Sequence, residues 1–289
     1  MTDASIDSPM MAAARAEPPV TDIVPSKGLF DLDLGAVWRY RELLLVLVMR
    51  DIRVLYKQAA LGASWAVIQP LFAVAIFTVV FGYFAHMPSD GIPYPIFAFA
   101  AVLPWTYFAE ATRRASTGLV DDAELVRKVY FPRLIMPVAK VLGPLVDFCI
   151  AFGILLIMMV IFNVPPTWKL LAVPPLILVA TLLAFSIGLW LGPINVRFRD
   201  IKHTLPFMIQ IWMYASPIVY PLSMIPDQFK LLYSLNPMVG VIEGFRWAVF
   251  DRGNPDFLVT AISATVIIVL LLGGLVFFKR MERSFADLI

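Results

Sequence analysis

The chain is 289 residues long, 60% hydrophobic, 13% aromatic and only 15% charged, with a net charge of +2 and a mean hydropathy of +0.82. A soluble domain is about 45–50% apolar and about 25% charged, so too few charges exist here to cover the apolar surface in water, and lipid is the expected solvent. Disorder of the whole chain is excluded on the same ground, the small net charge argues against a nucleic-acid partner, and a lone cysteine, Cys149, leaves no internal disulfide and no multi-cysteine metal site.

Residues 1–28 contain acids and prolines but no apolar core of signal-peptide length. Residues 1–37 read as a disordered cytoplasmic tail. Residues 38–60 read as an amphipathic helix. On a helix Arg50, Arg53 and Lys57 share one face with Tyr56 beside them, and Leu45, Val48, Ile52 and Leu55 share the opposite face. A basic stripe against an apolar stripe suits the membrane interface, where each basic residue gains about 1 kcal/mol near an anionic leaflet.

Stretches free of Asp, Glu, Lys and Arg then run over 58–89, 91–109, 148–168, 170–196, 203–226 and 257–278. Each can hold a helix crossing a hydrocarbon core, which takes about 20 residues. The alternation of a membrane β-barrel is missing, so the expected fold is an all-α polytopic membrane protein with six transmembrane helices. A seventh stretch, 231–242, is too short to cross. Pro221, Pro226 and Pro237 punctuate that region, which predicts two short broken helices between the fifth and sixth spans. Six crossings put both termini on one side. That side holds 19 of the 23 Lys and Arg residues, so the termini are expected to be cytoplasmic. The transmembrane domain is expected over 38–283, with a cytoplasmic C-terminal tail at 284–289. Gly188 and Gly192 form a G-x-x-x-G in the fourth span, suited to close helix contact within the subunit or between subunits. Gly240 and Gly244 repeat the spacing in the external segment, where it carries little meaning.

Few side chains could do chemistry. There is no P-loop, no H-E-x-x-H and no G-x-S-x-G. His86 and His203 fall on opposite sides of the expected membrane. The one acid clearly inside a span is Asp147, a functional candidate by position. Lys140 lies seven residues earlier, roughly 10 Å along a helix at 1.5 Å per residue, so the two form no direct pair within one helix. No catalytic residue, metal or cofactor is expected on this chain, so if it moves material the energy must come from elsewhere. The segment suited to receive it is the loop between spans two and three. There Asp121, Asp122 and Glu124 precede Arg127 and Lys128, the charge order of a short helix, with Leu125, Val126 and Val129 available for docking a soluble partner.

Three stretches carry a family resemblance. The first is Arg50-Asp51-Ile52-Arg53-Val54-Leu55-Tyr56-Lys57, followed by Leu61-Gly62, Trp65 and Pro70. The second is Leu103-Pro104-Trp105, then Glu124-Leu125-Val126-Arg127-Lys128-Val129-Tyr130-Phe131-Pro132-Arg133. The third is Arg199-Asp200-Ile201, then Gln210, Tyr214, Ser216-Pro217, Tyr220-Pro221, Asn236-Pro237 and Ile242-Glu243-Gly244-Phe245-Arg246. In this order they resemble the permease subunit of ABC-2-type polysaccharide exporters, the family that moves O-antigen, capsule or teichoic acid polymers. The resemblance covers about residues 38–283. It implies a homodimer of permeases in the bacterial inner membrane, paired with two copies of a separate ATPase that uses ATP and Mg, and a lipid-linked glycan as substrate. It further implies that Asp121, Asp122, Glu124, Leu125, Arg127 and Lys128 form the coupling helix to the ATPase. Arg50, Arg53, Tyr56 and Lys57 would belong to the interfacial helix, and Asn236, Glu243 and Arg246 to external gate helices. Asp121-Asp122 departs from the neutral residues more usual in the family.

Sugar rings have apolar C–H faces on which aromatic rings can stack without gripping any one unit. Trp212, Ser216 and Tyr220 recur every fourth residue along the fifth span, and Trp105 and Phe108 share a face of the second. These five are the expected channel lining. Three other readings stay open: an ABC-2 exporter of drugs or simple lipids, a membrane-embedded enzyme acting on lipid-linked sugars, and a purely structural membrane scaffold.

Overall fold

The structure, a computed structural model, describes residues 34–57, 64–198, 200–252, 257–282 and 285. Residues 1–33, Leu61, Gly62 and Arg199 lie outside the described residues, as do 284 and 286–289, so most of both expected tails does too. Every regular element among the described residues is helical.

The described residues open with α1 (Leu34–Arg39) and α2 (Arg41–Lys57), then α3 (Ser64–Phe77), which runs on as a π-helix over Thr78–Phe84. Next come α4 (Tyr94–Asp121), α5 (Ala123–Lys128), α6 (Ile135–Leu142) and α7 (Leu145–Ile161). After a 3-10 turn at Trp168–Ala172 follow α8 (Val173–Arg197), α9 (Ile201–Tyr214), α10 (Asp227–Ser234), α11 (Pro237–Phe250) and α12 (Phe257–Glu282). Punctuation in the sequence sets most of these ends. Gly143-Pro144 separates α6 from α7. Pro237 opens α11 behind an Asn236 cap, and α11 stops at Asp251, whose φ of +54° is left-handed.

Four helical segments are long and apolar enough to cross a membrane: Ser64–Phe84, Ile135–Ile161, Trp168–Arg197 and Leu258–Glu282. The other two expected spans differ from these. Helix α4 has 28 residues, ample length, but it carries Trp, Tyr, Pro and Thr and is the buried centre of the bundle. From Ile96 to Leu119 most of its side chains are inside, packed by α8, α6, α11, α3, α7 and α9. The fifth span is the larger departure. Helix α9 stops at Tyr214 after 14 residues, about 21 Å at 1.5 Å per residue. Residues 215–226 then form turns and a short 3-10 piece. Ser216 and Tyr220 are therefore not on the helix, and the four-residue repeat from Trp212 has no helical meaning. The prolines do give two short helices, α10 and α11.

Two apolar clusters hold the bundle. The larger fills its middle around Phe97, Phe99, Phe108 and Phe245. The smaller sits at the end expected to face the cytoplasm and joins Leu47 of α2, Leu119 of α4, Val126 of α5, Ile135 and Met136 of α6, and Phe278 of α12. Phe285 is fully buried in it, with the Arg133 guanidinium 5.6 Å from its ring centroid. Packing thus continues past 283, where the tail was expected to begin. On α2 the apolar stripe is shifted from the expected one. Leu47 is buried, while Leu45, Val46, Met49 and Val54 are exposed.

The G-x-x-x-G of α8 faces α4 inside the subunit. A Cβ at Gly188 would overlap the Cβ of Ala115, and one at Gly192 would lie 3.5 Å from the Ala115 carbonyl. The pair expected in the external segment is also tightly packed. A Cβ at Gly244 would come within 2.7 Å of Leu176, and one at Gly240 within 2.9 Å of Ser263. We expect Gly188→Val to part α4 from α8 and lower the thermal unfolding midpoint of the purified chain, by the 1–3 kcal/mol or so typical of overpacking. An unchanged midpoint would place the glycine contact outside the packed core.

Candidate functional site

At the end bearing α2 and α5, four charged side chains close a ring. The Arg50 Nη2 donates to Asp51 Oδ1 and to Asp122 Oδ2, both at 2.8 Å. The Lys140 ammonium bonds Asp51 Oδ2 at 2.7 Å and Asp122 Oδ2 at 2.6 Å. Asp51 and Lys140 are mostly shielded, with side chains 11% and 12% exposed. Burial alone would raise the Asp51 carboxyl, but the hydrogen bonds from Lys140 and Arg50 outweigh it and hold the group below its usual range. The Arg50 guanidinium is held up in the same way, its two carboxylates overcoming desolvation. Gly118 makes the geometry possible. A Cβ there would stand 2.7 Å from Cγ of Lys140, so a bare α-carbon lets the lysine stem lie along α4 and reach both acids.

The ring ties three elements: α2, the α4–α5 junction and α6. Asp122 is that junction residue, sitting between the end of α4 and the start of α5. Helix α5 presents Glu124, Arg127 and Lys128 outward, with Glu124 and Lys128 paired at 2.6 Å while each is 74% exposed. Asp121 accepts from the Thr117 hydroxyl at 2.6 Å and lies 3.9 Å from Lys202. The docking face differs from expectation. Val126 is buried and Leu125 half-buried in the subunit's own core, whereas Val129 and Tyr130 are exposed.

The intramembrane acid has a partner from α2. The Tyr56 hydroxyl donates to Asp147 Oδ1, at the first turn of α7, where a helix N-terminus favours negative charge. Lys140 and Asp147 are thus tied to Asp51 and Tyr56 of one helix. Arg53 is exposed, and Lys57 closes α2, its side chain lying outside the described residues.

A second polar hub lies at the opposite end. Asn236 caps α11 by accepting from the Met238 amide at 3.1 Å and accepts the Trp212 indole N–H at 2.8 Å. Its own amide donates to the Ala215 carbonyl at 3.0 Å and to Ser216 Oγ at 2.9 Å. Arg246 is 5% exposed. It donates to Glu243 at 3.0 Å, to the Ile218 carbonyl at 2.9 Å and to the Tyr220 carbonyl at 3.3 Å, with its guanidinium 3.7 Å from the Phe97 ring centroid. Tyr94 donates to the Val219 carbonyl at 2.7 Å, and the Tyr220 and Tyr233 hydroxyls are 2.7 Å apart. Four carbonyls of the broken segment after α9, those of Ala215, Ile218, Val219 and Tyr220, thus accept from side chains of α4, α11 and its cap, which keeps this irregular backbone partnered.

This hub changes the expected channel lining. Trp105 and Phe108 are 3% and 0% exposed. Their rings pack on each other at 5.4 Å and on Trp212 at 6.3 and 5.1 Å, so their faces are covered by protein within the subunit. Ser216 is buried under Asn236, and Trp212 and Tyr220 are half-buried. The aromatic side chains that α9 does expose are Phe207 and Tyr214, with Gln210 between them.

Residues 42–250 match the ABC-2 type transporter family. The chain belongs to that family. The chain is 28% identical to the O-antigen export system permease protein RfbA of Myxococcus xanthus, over 87% of this chain and 96% of that protein. It is 25% identical to the RfbA permease of Klebsiella pneumoniae, over 86% and 95%, and 25% identical to the polysialic acid transport protein KpsM of Escherichia coli, over 82% and 93%. ABC-2 permeases pair with an ABC ATPase subunit, and the four long apolar helices make this ABC-2 chain a multi-pass membrane protein.

Sequence spacing does not reach the ring, because nothing links residues 51, 122 and 140 along the chain. The one local signal is Asp51, an acid set among basic and apolar residues on an interfacial helix. We expect Asp122→Asn and Lys140→Met each to cost about 1–3 kcal/mol, the penalty of leaving a part-buried charge without its partner, read as a lower thermal midpoint. Because the folded Asp51 carboxyl titrates below its unfolded value, its contribution is present above about pH 4 and disappears as pH falls through the folded value. A midpoint unchanged in both variants would show that the ring adds no stability.

Proposed function

We propose that this chain is the permease of an ATP-driven exporter that moves a lipid-linked polysaccharide, of O-antigen or capsule type, across the bacterial inner membrane. The observation that carries the proposal is near full-length similarity to two kinds of glycan permease, the O-antigen export proteins and the polysialic acid transport protein. The working unit on this reading is a homodimer with two copies of a separate ATPase, which binds the ATP and Mg. Each permease crosses the membrane six times, α4 serving as the second crossing and α9 together with the irregular segment 215–226 as the fifth. Both termini are cytoplasmic, as the concentration of 19 of 23 basic residues on one side favours.

Helix α5 is the coupling helix on this reading. Its outward charges, Glu124, Arg127 and Lys128, meet the ATPase, together with Val129 and Tyr130 in place of Leu125 and Val126. Movement of α5 reaches the interfacial helix through Asp122. The half-helix α9 and the helices α10 and α11 form the external gate, with Asn236, Glu243 and Arg246 as its internal braces. The sugar-facing surface is assigned to Phe207, Gln210 and Tyr214 of α9 rather than to Trp105 and Phe108. This assignment rests on exposure: a ring buried in its own subunit offers no face to a passing sugar.

Deleting the chain should abolish surface glycan and leave lipid-linked polymer inside the cell. Normal surface glycan in the deletion strain would overturn the proposal. Charge reversal at Glu124 or Arg127 should keep the thermal midpoint, because exposed pairs contribute little, while ATP hydrolysis continues without export. Wild-type export from both variants would remove α5 from the coupling path. Replacing Phe207 and Tyr214 together by alanine should slow export without loss of complex assembly. Replacing Trp105 by alanine should instead destabilise the subunit.

A further inference from the structure

The gate end of the bundle carries a half-open cavity of about 540 Å³, within the range of small-molecule sites, about 300–1,000 Å³. Asp90, Ser223, Glu243, Trp247, Phe250 and Arg252 form much of its wall, and α9 contributes none. It is therefore distinct from the face of α9 assigned to the moving polymer.

Its polar groups are held in place. Asp90 has a left-handed φ of +50°. Its Oδ1 accepts from the Ser223 hydroxyl at 3.0 Å, and its carbonyl accepts from Arg252 at 3.1 Å. The Glu243 carboxylate is positioned by Arg246, itself fixed by the Ile218 and Tyr220 carbonyls. Trp247 is braced by the Lys169 ammonium, 4.9 Å from its ring centroid. Such a wall is organised before any ligand arrives, which lowers the ordering cost of binding.

The chemistry of the wall selects the ligand. Two carboxylates, Asp90 and Glu243, stand among three cations, Lys230, Arg246 and Arg252. A phosphate or other anion meets the carboxylates. An acyl chain meets five charged groups. A pyranose suits every part: hydroxyls to donate to the carboxylates and to accept from the guanidinium, and a C–H face for the indole. We propose that this cavity is a saccharide site, with room for about one or two sugar rings, that holds a segment of the emerging glycan beside the gate. The inference rests on the glycan-export reading of the chain.

The test uses the purified full-length chain in nanodiscs. The probe is a set of short oligosaccharides released by mild acid from the producing strain's own surface glycan, with maltotriose as a control. Tryptophan fluorescence should report saturable binding of at least one fragment. Asp90→Asn and Glu243→Gln should each weaken it about tenfold, the loss expected for one hydrogen bond to a charged group. Asp90 lies in an exposed loop, so its variant folds even if the Glu243 variant does not. Absence of binding by every fragment, or equal affinity in Asp90→Asn, overturns the saccharide site. The deletion strain separates the two readings. If its surface glycan is lost while no fragment binds the cavity, only the saccharide site falls. If its surface glycan persists, the export reading falls, and the site falls with it.

Discussion

One carboxylate oxygen, Oδ2 of Asp122, accepts from both Arg50 and Lys140. Much of the arrangement at that end follows from this sharing. Two cations and two anions are brought out of bulk water together, so each desolvation cost is met by two opposite charges rather than one. That is the condition under which part-buried ion pairs are stable. The same oxygen lies at the junction of α4 and α5. A displacement of α5 by an ångström or two would stretch bonds of 2.6–2.8 Å to two different helices at once. An amphipathic helix held only by lipid would be free to slide. Helix α2 is instead held at Asp51 and again at Tyr56, one contact on α6 and one on α7.

The central helix connects this ring to the hub at the other end. Its lower part supplies Gly118 and Asp122 to the ring, and its upper part supplies Phe97 and Tyr94 to the Arg246 hub. Between them its side chains are buried almost without interruption. A close-packed interior has low compressibility, so α4 moves as a body or hardly at all. The helical rods are interrupted at two places: Gly143-Pro144 between α6 and α7, and the turns after Tyr214. Both breaks adjoin a polar hub, the first through Lys140 and Asp147 and the second through Asn236 and Arg246.

Much of this was readable from residues. Gaps in charge located the long helices, and the prolines at 221, 226 and 237 foretold α10 and α11, because a missing N–H and a fixed φ end a helix whatever surrounds it. The length of α9 was not readable. The run 203–226 is apolar throughout, and composition does not distinguish a full crossing from a half-helix whose carbonyls are satisfied by Arg246, Asn236 and Tyr94, residues distant in sequence. The fate of the aromatics was hidden for the same reason. Trp105 and Phe108 carry the right chemistry for stacking on sugars, but whether a ring faces a path or a neighbour depends on packing partners that no local pattern encodes. The ring of ion pairs is the extreme case, with partners 72 and 89 positions apart.

On the glycan-export proposal, burial of those aromatics also constrains how a long polymer would move past this subunit. A polymer that must advance unit by unit is stalled by any deep, rigid site on its path, since each sugar would have to leave a well before the next could enter. The exposed face of α9 offers two aromatic rings and one amide, with no ordered charge among them, so it can be wetted by successive sugars at little cost. The strongly organised polar surface, with Asp90, Glu243 and Arg252 held by their neighbours, lies off that face in the cavity behind α11. Separating the two surfaces lets one be slippery and the other selective. The geometry favours this division because the half-helix α9 ends at Tyr214 and leaves α10 and α11 to build the cavity wall.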